Sequence, residues 1–571
     1  MQKSFNLITD PWVKVIDEQN NEQVISLEQL FKKPTHYLQL AGEMKSQDLA
    51  IMRLILAILT TVYSRFDAHN VPYEWIKINP ESFQPISIDE DDFFEESEDD
   101  FLTTWRDIYR SGAFSKILFD YLGKYKAHFD LLSDQYPFFQ VTEAQYDSFV
   151  PTNKKVATGK GTVAVKQVNR TLSESNNSPD IFSPKAPLQK NKITLDELTR
   201  WLITYQNYTA VTDKTKIVTK DKFSVSSGWL YGLNPVFAVG NNLFETLMLN
   251  LILTPESEDN PITQKPVWEY SYEQYIQERS DALLPDNIAE LYTLWSRIIH
   301  IEWQDEQPII FSAGLPKVES QNAFIEPMTT WQLSKKDKVY RPAMRRLDSL
   351  GKAMWRSFGQ YVKTSGNDDN RKPKIVNWIQ LLKRGKLVDN MVHLATVGLI
   401  SDGNATSQSP AAEFEDDMRI EADVLFDEDL DSRSYWPKRI EDTITLTDRV
   451  GVLYNHFAAN IGKLRGFGNP GEFANKKSSH FYEQLNESFY LWLAGLTNHD
   501  ERDEKVNEWK KQLLMIAKAS ARQLLSEASP QDLRIRSVKG ETGERNIFIY
   551  YRIFNGSLAK ILDLKKEEFS K

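Results

Sequence analysis

The chain has 571 residues and a net charge of −11, with 41% hydrophobic and 12% aromatic residues. This length and composition allow about two to four domains with a sizeable core, which excludes an intrinsically disordered protein. There are no cysteines, so disulfides, thiolate catalysis and Cys-type zinc sites are excluded, and the cytoplasm is the expected compartment.

The negative charge is concentrated in two segments. Residues 89–100 hold nine acids and no base, and residues 413–431 hold ten acids and one base. Together they carry −18, which leaves the rest of the chain at +7. Basic residues cluster in 151–172, 335–346 and 371–386. An acidic protein with separate basic surfaces is compatible with a nucleic-acid ligand, although ordinary solvated faces give the same pattern.

The N-terminal 30 residues predict short strands followed by a helix. The pattern predicts a strand from Phe5, a turn at Asp10-Pro11, a second strand, a polar hairpin turn near Asn20-Asn21 and a third strand. Ser26 and Gln29 then fit a capping box, in which each side chain bonds the backbone of the other residue. We therefore expect a helix to begin directly after Ser26.

Helices dominate the next hundred residues. Apolar residues at helical spacing predict a helix from Ser46 to about Tyr63. Its apolar run is interrupted by Arg53 and is shorter than the ~18 residues of a membrane span, so we expect a buried helix and no membrane partner. The acidic segment 89–100 is expected to be an exposed loop. Further helices follow within 101–125, with a break at Ser111-Gly112.

The region between residues 140 and 435 is expected to be irregular. Loops rich in Lys, Gly, Thr, Ser and Asn alternate with helices predicted from Thr194 to about Tyr205 and from Leu243 to about Leu253. Two short strands are predicted at 300–303 and 308–312. The sequence thus predicts one large mixed α/β body over residues 1–435.

The last 136 residues, 436–571, change character after Tyr435-Trp436-Pro437. Four segments with apolar residues at helical spacing are separated by Gly, Pro and Asn turns, and they cover about residues 438–465, 478–497, 502–527 and 546–562. Four such helices with polar outer faces predict a C-terminal four-helix bundle. The fold class expected for the whole chain is therefore α+β.

No familiar catalytic motif is present. The sequence lacks a G-x-x-x-x-G-K-[ST] loop, an H-E-x-x-H helix and a G-x-S-x-G elbow. Its eight histidines are scattered, and the acidic runs lack the alternating Asp and fixed Gly of a calcium loop. We predict no catalytic residues, no metal site and no cofactor, and we favour a binding protein. A metal-dependent nuclease or hydrolase of unrecognised motif and a scaffold that binds only protein remain as alternatives.

A specific resemblance starts at the N-terminus. The motifs are Phe5-Asn-Leu-Ile-Thr-Asp-Pro-Trp-Val13, Ile25-Ser-Leu27, Phe129-Asp-Leu131, Pro137-Phe-Phe-Gln140 and Gly228-Trp-Leu-Tyr-Gly-Leu-Asn-Pro235. In this order and spacing, together with the C-terminal bundle, they resemble the CasA family, the large subunit of the type I-E CRISPR surveillance complex Cascade. The resemblance covers most of the chain.

The resemblance implies a non-catalytic DNA-binding subunit. Such a subunit recognises the protospacer-adjacent motif (PAM) in double-stranded target DNA, promotes strand separation and R-loop formation, and helps recruit a helicase–nuclease. Its implied partners are the 5′ handle of the guide RNA and the backbone, handle-binding and small subunits of Cascade. In this arrangement, guide pairing reads the sequence and the protein reads only a short flanking tag.

The first implied site is the loop 169–185, NRTLSESNNSPDIFSPK. In the family this loop contacts the guide handle and the neighbouring backbone subunit. Ile181 and Phe182 are candidates for docking on that subunit, and we expect the loop to become ordered only in the complex. The alternative is a solvent loop whose Ile-Phe pair returns to its own core. The nucleic-acid contacts expected from its polar side chains are Asn169, Arg170, Ser173, Asn176 and Asn177.

The second implied site is the stretch Ser226–Gly232, which matches the family's glycine-containing loop against the PAM minor groove. Gly228, Trp229 and Gly232 are the expected contacts, because a missing side chain lets backbone N–H groups approach base edges. A plain turn before a helix is the alternative. Lys317 is the candidate for the lysine that reaches the minor groove.

The third implied site is a polar wedge that holds the DNA strands apart beneath the PAM. Residues 401–410, SDGNATSQSP, fit a tight polar hairpin. Strand separation requires compensating contacts, which the basic segments 335–346 and 371–386 are expected to make with phosphates. The tip residues are Asn404, Ala405, Thr406 and Gln408.

Overall fold

A computed structural model describes most of the chain. The described residues are 4–169, 189–209, 215–254, 263–345, 351–362, 370–400, 412–427, 435–538 and 543–564. They fall into two units. Unit 1 comprises Met1–Leu347, Pro373–Ile379 and Ala395–Glu415, and unit 2 comprises Asp348–Lys372, Gln380–Leu394 and Asp416–Lys571. The division of the chain between residues 435 and 436 stays a prediction.

The helices are, in chain order, α1 (Leu27–Lys32), α2 (Lys45–Tyr63), α3 (Glu90–Ser111), α4 (Lys116–Lys124), α5 (Glu143–Phe149), α6 (Val165–Val168), α7 (Leu195–Tyr208), α8 (Leu243–Asn250), α9 (Tyr272–Ser280), α10 (Ile288–Tyr292), α11 (Lys374–Arg384), α12 (Ala422–Leu425), α13 (Trp436–Leu464), α14 (Pro470–Ala494), α15 (Arg502–Ser526), α16 (Pro530–Leu533) and α17 (Ile547–Leu562). The strands are β1 (Val13–Asp17), β2 (Glu22–Ile25), β3 (Tyr37–Leu40), β4 (Ile76–Ile78), β5 (Pro85–Ile88), β6 (Thr162–Val163), β7 (Val236–Ala238), β8 (Arg297–Gln304), β9 (Gln307–Gly314), β10 (Trp331–Leu333), β11 (Tyr340–Pro342), β12 (Asn370–Arg371), β13 (Met391–Ile400), β14 (Ala412–Glu421), β15 (Arg536–Ser537) and β16 (Glu544–Arg545). The predicted fold class, α+β with a C-terminal four-helix bundle, is confirmed.

The N-terminal sheet has the order β2-β1-β3. β1 and β2 form the predicted hairpin, and Ser26 and Gln29 form the predicted capping box at the start of α1. The predicted strand from Phe5 is wrong, because Asn6 makes only one isolated bridge, to Asp130. The Asp10 carboxylate instead accepts from the Asn6 backbone N–H at 2.6 Å, which closes a turn.

The centre of unit 1 is α2. Every residue of this helix from Ser46 to Tyr63 is buried, so the prediction of a buried helix is confirmed. Within the described residues α2 is also the one helix long and apolar enough to span a membrane, and 94% of that apolar window is buried inside the protein. It therefore serves as a core helix, and its buried Arg53 forms an ion pair with Glu326 at 2.9 Å.

The acidic segment 89–100 is not the exposed loop that its charge predicts. Asp89 accepts from the Asp92 backbone N–H and begins α3, which runs to Ser111. The helix buries one stripe on its inner face, consisting of Phe93, Ser97, Phe101, Thr104, Trp105 and Ile108. The acids occupy the opposite face and the first turn, where negative charge stabilises a helix. The predicted break is confirmed, since Gly112 ends α3 with a left-handed φ of 65°.

The helix and strand predictions that frame the middle of unit 1 are confirmed. α7 begins after the capping box of Thr194 and Glu197. β8 and β9 form an antiparallel hairpin in a sheet of order β6-β9-β8. A separate sheet has the order β14-β13-β7.

Four long helices of unit 2, α13, α14, α15 and α17, pack around an aromatic core. The Tyr454 ring of α13 stacks on Phe481 of α14, with centroids 4.7 Å apart. Phe457 of α13 stacks on Phe554 of α17 at 5.0 Å. Trp509 of α15 donates its indole N–H to the Thr447 hydroxyl at 2.8 Å. This is the bundle that the helical periodicity predicts.

Candidate nucleic-acid interface

The glycine segment, Ser226–Gly232, begins as a short extension of the β9 edge. Val225 bridges Pro316, and the Ser226 N–H donates to the Leu315 carbonyl at 2.9 Å. Gly228 has a φ of +81°, and a Cβ built there would lie 2.4 Å from the Asn207 carbonyl oxygen at the end of α7. Only glycine fits this position, because the left-handed backbone and the close approach both exclude a side chain.

The three candidate residues of the glycine segment lie in different surroundings. Gly228 is buried against α7, and the Trp229 side chain is only 8% exposed. The Trp229 indole N–H points inward and donates to the Glu326 carboxylate at 2.6 Å. Gly232 is partly exposed, and a Cβ there would meet no atom within 4 Å. The part of the segment around Gly232 therefore offers backbone groups to a ligand, while the Trp229 indole anchors the segment to the core.

Lys317 lies beside the glycine segment. Its backbone N–H donates to the Ser224 carbonyl at 2.8 Å, two residues before the segment begins. Its side chain is 44% exposed and its ammonium lies 3.4 Å from the Glu319 carboxylate. The structure thus brings two of the four separately predicted elements, the glycine segment and Lys317, onto one edge.

Three further lysines flank this edge. Lys216 bridges Gly314 in parallel, and Val225 bridges Pro316 two residues later, so the loop between them projects from this edge. We call the exposed lysines of this loop, together with Lys317, the lysine ledge, namely Lys216, Lys220, Lys222 and Lys317. The Lys216 ammonium donates to the Phe223 carbonyl at 3.0 Å. This loop is not among the basic segments predicted from the sequence, although its three lysines and single acid within seven residues are a usable signal.

The root of the β13–β14 hairpin touches the exit of the glycine segment. Asn234 accepts from Arg345 Nε at 3.3 Å and from the Thr396 hydroxyl at 3.2 Å. A Cβ at Gly398 would lie 3.5 Å from the Leu233 carbonyl oxygen. The Arg345 guanidinium in turn lies 3.5 Å from the centre of the Phe414 ring. The proposed tip of this hairpin, with Asn404, Ala405, Thr406 and Gln408, lies outside the described residues.

The loop 169–185 contributes only its first residue to the described structure. Asn169 is 4% exposed at the end of α6, where its backbone N–H donates to the Val165 carbonyl at 2.8 Å. In the free chain the Asn169 side chain is therefore buried and is not exposed for a polar contact. The other candidates, Arg170, Ser173, Asn176 and Asn177, lie outside the described residues, as do Ile181 and Phe182.

Both basic segments carry exposed cations. The turn between β10 and β11 presents Lys335, Lys336 and Lys338 to solvent. In the second segment, Arg371, Arg384 and Lys386 are exposed. Arg371 precedes α11, Arg384 is its last residue and Lys386 follows it. Both segments thus hold cations that solvent reaches, which is the minimum that phosphate contact requires.

The Glu326 carboxylate beneath the glycine segment is paired with the buried Arg53 guanidinium at 2.9 Å. Burial lowers the pKa of Arg53, but the attraction of the Glu326 carboxylate more than offsets this effect. The pKa of Arg53 therefore lies above its usual value. Among the described residues, no group of three His, Cys, Asp or Glu side chains is arranged to hold a metal ion. The surface around the glycine segment displays lysine charge and backbone groups above the buried Arg53–Glu326 ion pair.

These features define a class, an α+β protein with a C-terminal four-helix bundle and a lysine-bearing loop edge built around a buried ion pair. The sequence profile of the family described as CRISPR-associated protein Cse1 matches residues 6–519. The chain belongs to this Cse1 (CasA) family.

The solved structures similar to this chain agree with that assignment. Cse1 from Thermobifida fusca has 21% identity and a TM-score of 0.70, with 99% of this chain and 98% of that chain covered. Cse1 from Acidimicrobium ferrooxidans has 18% identity and a TM-score of 0.71, with both chains covered completely. A chain of a CRISPR RNA-guided surveillance complex has 16% identity and a TM-score of 0.65, with 97% and 99% covered. These identities show the shared fold. No curated protein matches the chain in a direct sequence comparison.

Proposed function

We propose that this protein is the non-catalytic, DNA-binding large subunit of a cytoplasmic type I-E Cascade complex. It recognises the PAM in double-stranded target DNA, promotes strand separation and R-loop formation, and helps recruit the helicase–nuclease. Membership of the Cse1 family supports the assignment to Cascade. The finer role rests on the surface around the glycine segment.

The observation that carries the proposal is that Lys317 lies beside the start of the glycine segment. Its backbone N–H donates to the Ser224 carbonyl at 2.8 Å. The lysine ledge supplies charge for phosphates, which gives affinity without sequence preference. The glycine segment supplies backbone close to base edges, and the minor groove separates mainly A·T from G·C pairs. One edge thus combines phosphate binding without sequence preference and a short, degenerate readout of base pairs, as recognition of a brief tag requires.

The hairpin tip 401–410 is proposed as the wedge. Its root touches the exit of the glycine segment through Asn234 and Thr396. A wedge at that place would enter the duplex next to the bases that the glycine segment reads. Changing Asn404–Gln408 to alanines is expected to impair strand opening more than initial duplex binding, as measured by fluorescence of a base analogue and by gel shift. Equal loss of both would contradict the wedge assignment.

The proposed partners follow from assembly into Cascade. The loop 169–185 is proposed to contact the 5′ handle of the guide RNA, with Ile181 and Phe182 against the neighbouring backbone subunit. The handle-binding and small subunits complete the complex. The similar chain in a CRISPR RNA-guided surveillance complex supports such an assembly.

A gel shift of the assembled complex tests the proposal. Two duplexes carry the same guide-matched sequence and differ only in the flanking tag. We expect the tag-bearing duplex to bind tighter, and equal binding would overturn the proposal. A second measurement addresses the rival class of enzyme: cleavage of either duplex by the purified subunit with Mg²⁺ or Mn²⁺ would favour a metal-dependent nuclease.

A further inference from the structure

The glycine segment is held at three places. At its start, the Ser226 carbonyl accepts from the buried Arg297 guanidinium at 2.6 Å. Beyond its end, Asn234 accepts from Arg345 and Thr396. Between these two anchors, the Trp229 indole N–H ties the segment to the core through its bond to the Glu326 carboxylate at 2.6 Å.

The Glu326 carboxylate is a junction of four donors. It accepts from Arg53 Nη1 and Nη2, each at 2.9 Å. It also accepts from the Met328 backbone N–H at 3.0 Å and from the Trp229 indole. Both side chains of the ion pair are fully buried. Because Arg53 lies within α2, the junction fixes the middle of the glycine segment to the central helix of unit 1.

We propose that Glu326 is a positioning residue for tag readout, which acts through Trp229 on the backbone of Gly228–Gly232. This inference rests on the proposed function and deepens it. The partly exposed Gly232 has no side chain to hold it in place, and readout by backbone groups requires the segment to be fixed. The carboxylate is buried, so it cannot touch DNA itself.

Two variants separate positioning from stability. Trp229→Phe keeps an aromatic ring and deletes the N–H that bonds Glu326. The double variant R53M/E326L replaces the buried ion pair by apolar side chains of similar size, a change that proteins often tolerate, and leaves no acceptor for the indole. Trp105→Phe is the matched control, because it deletes another buried indole bond of unit 1, to the Met248 carbonyl at 2.8 Å.

The readout is the ratio of affinities of the assembled complex for the tag-bearing and tagless duplexes. We expect the ratio to fall about tenfold in Trp229→Phe and in R53M/E326L, the effect of one lost bond to a charged acceptor. Trp105→Phe and Trp229→Phe should have the same affinity for the tagless duplex and the same melting temperature. A wild-type ratio retained in both Glu326-junction variants would overturn the inference. A wild-type complex that ignores the tag would overturn the proposed function instead.

Discussion

Gly228 occupies a backbone position that no other residue fits. A Cβ there would lie 2.4 Å from the Asn207 carbonyl oxygen, and the φ of +81° adds strain. We expect Gly228→Ala to lower the free energy of unfolding by about 2 kcal/mol, as measured by denaturant unfolding. Gly232→Ala is the control, since nothing lies within 4 Å of its Cβ position. A loss for Gly232→Ala as large as that for Gly228→Ala would contradict the packing described.

Asp48 predicts a pH dependence of stability. Burial raises the pKa of its carboxyl from 3.8 to about 6, although the Gly42 backbone N–H and Lys45 oppose this rise. The folded state therefore keeps a proton that the unfolded chain has released, and stability falls as the pH rises from 4 to 6.

Asp48→Asn removes this titration while an amide oxygen still accepts from Gly42. Relative to the wild type, we expect the variant to gain about 2 kcal/mol in free energy of unfolding between pH 4 and pH 7. Urea unfolding at both pH values measures the gain. Asp120→Asn is the control, because the Asp120 side chain on α4 is 41% exposed and pairs with Lys116, and it should show no comparable trend. A pH-independent difference between Asp48→Asn and the wild type would show that Asp48 does not titrate as described.

At the residue scale, the sequence indicates the glycines of the candidate site but not the buried polar pairs that hold the glycine segment in place. Gly228 is visible because it lies in a motif that resembles the glycine-containing loop of the CasA family. Glu326 and Arg53 are separated by 273 residues, so no local pattern links them. The same holds for Asn234 and Arg345, which are 111 residues apart. Long-range buried polar pairs arise from tertiary packing, and a single sequence carries no periodicity for them.

At the scale of elements, the capping signal at Ser26 and the helical spacing after Thr194 predicted helix starts well, whereas charge patterns did not. The capping boxes at Ser26 and Thr194 both start helices. The acidic segment 89–100 looked too charged for a helix, yet Phe93 and Phe101 continue a buried stripe. The predicted start of α14, at 478, is eight residues later than the observed start at Pro470, because Pro470-Gly471 resembles a turn. Pro at the first helical position and the Asn469 cap explain the true start.

The bundle depends on one close approach between helices. A Cβ at Gly451 of α13 would lie 2.0 Å from the Tyr482 hydroxyl oxygen of α14. That hydroxyl donates to Asp448 at 3.0 Å, and the Arg356 guanidinium lies 3.7 Å from the centre of the ring. Gly451→Ala should therefore lower the free energy of unfolding by about 1–3 kcal/mol through overpacking.

Gly556 of α17 gives the opposite expectation. Nothing lies within 4 Å of its Cβ position, and alanine favours a helix over glycine by about 1 kcal/mol. Gly556→Ala should therefore raise the melting temperature, while Gly451→Ala lowers it. Thermal unfolding followed by circular dichroism measures both. Shifts of the same sign would contradict the helix contacts described here.

At the scale of the whole molecule, a net charge of −11 coexists with a basic edge. The lysine ledge projects its cations into solvent, and each phosphate contact contributes about 0.9 to the slope of log affinity against log salt concentration. Changing Lys220 and Lys222 to alanine should lower that slope by about 2 and weaken tag-bearing and tagless duplexes alike. Lys32→Ala with Lys116→Ala, two exposed lysines paired with Glu28 and Asp120, is the control. An unchanged slope for the Lys220/Lys222 variant would remove the ledge from the DNA interface.

The most direct test of PAM recognition is strand opening by the assembled complex. Permanganate oxidises unstacked thymines, so it reports opening next to the tag on duplexes that are otherwise identical. The account predicts reactive thymines beside the tag in the tag-bearing duplex and protected thymines in the tagless one. Equal reactivity in both duplexes would contradict recognition of the tag as the step that starts strand separation.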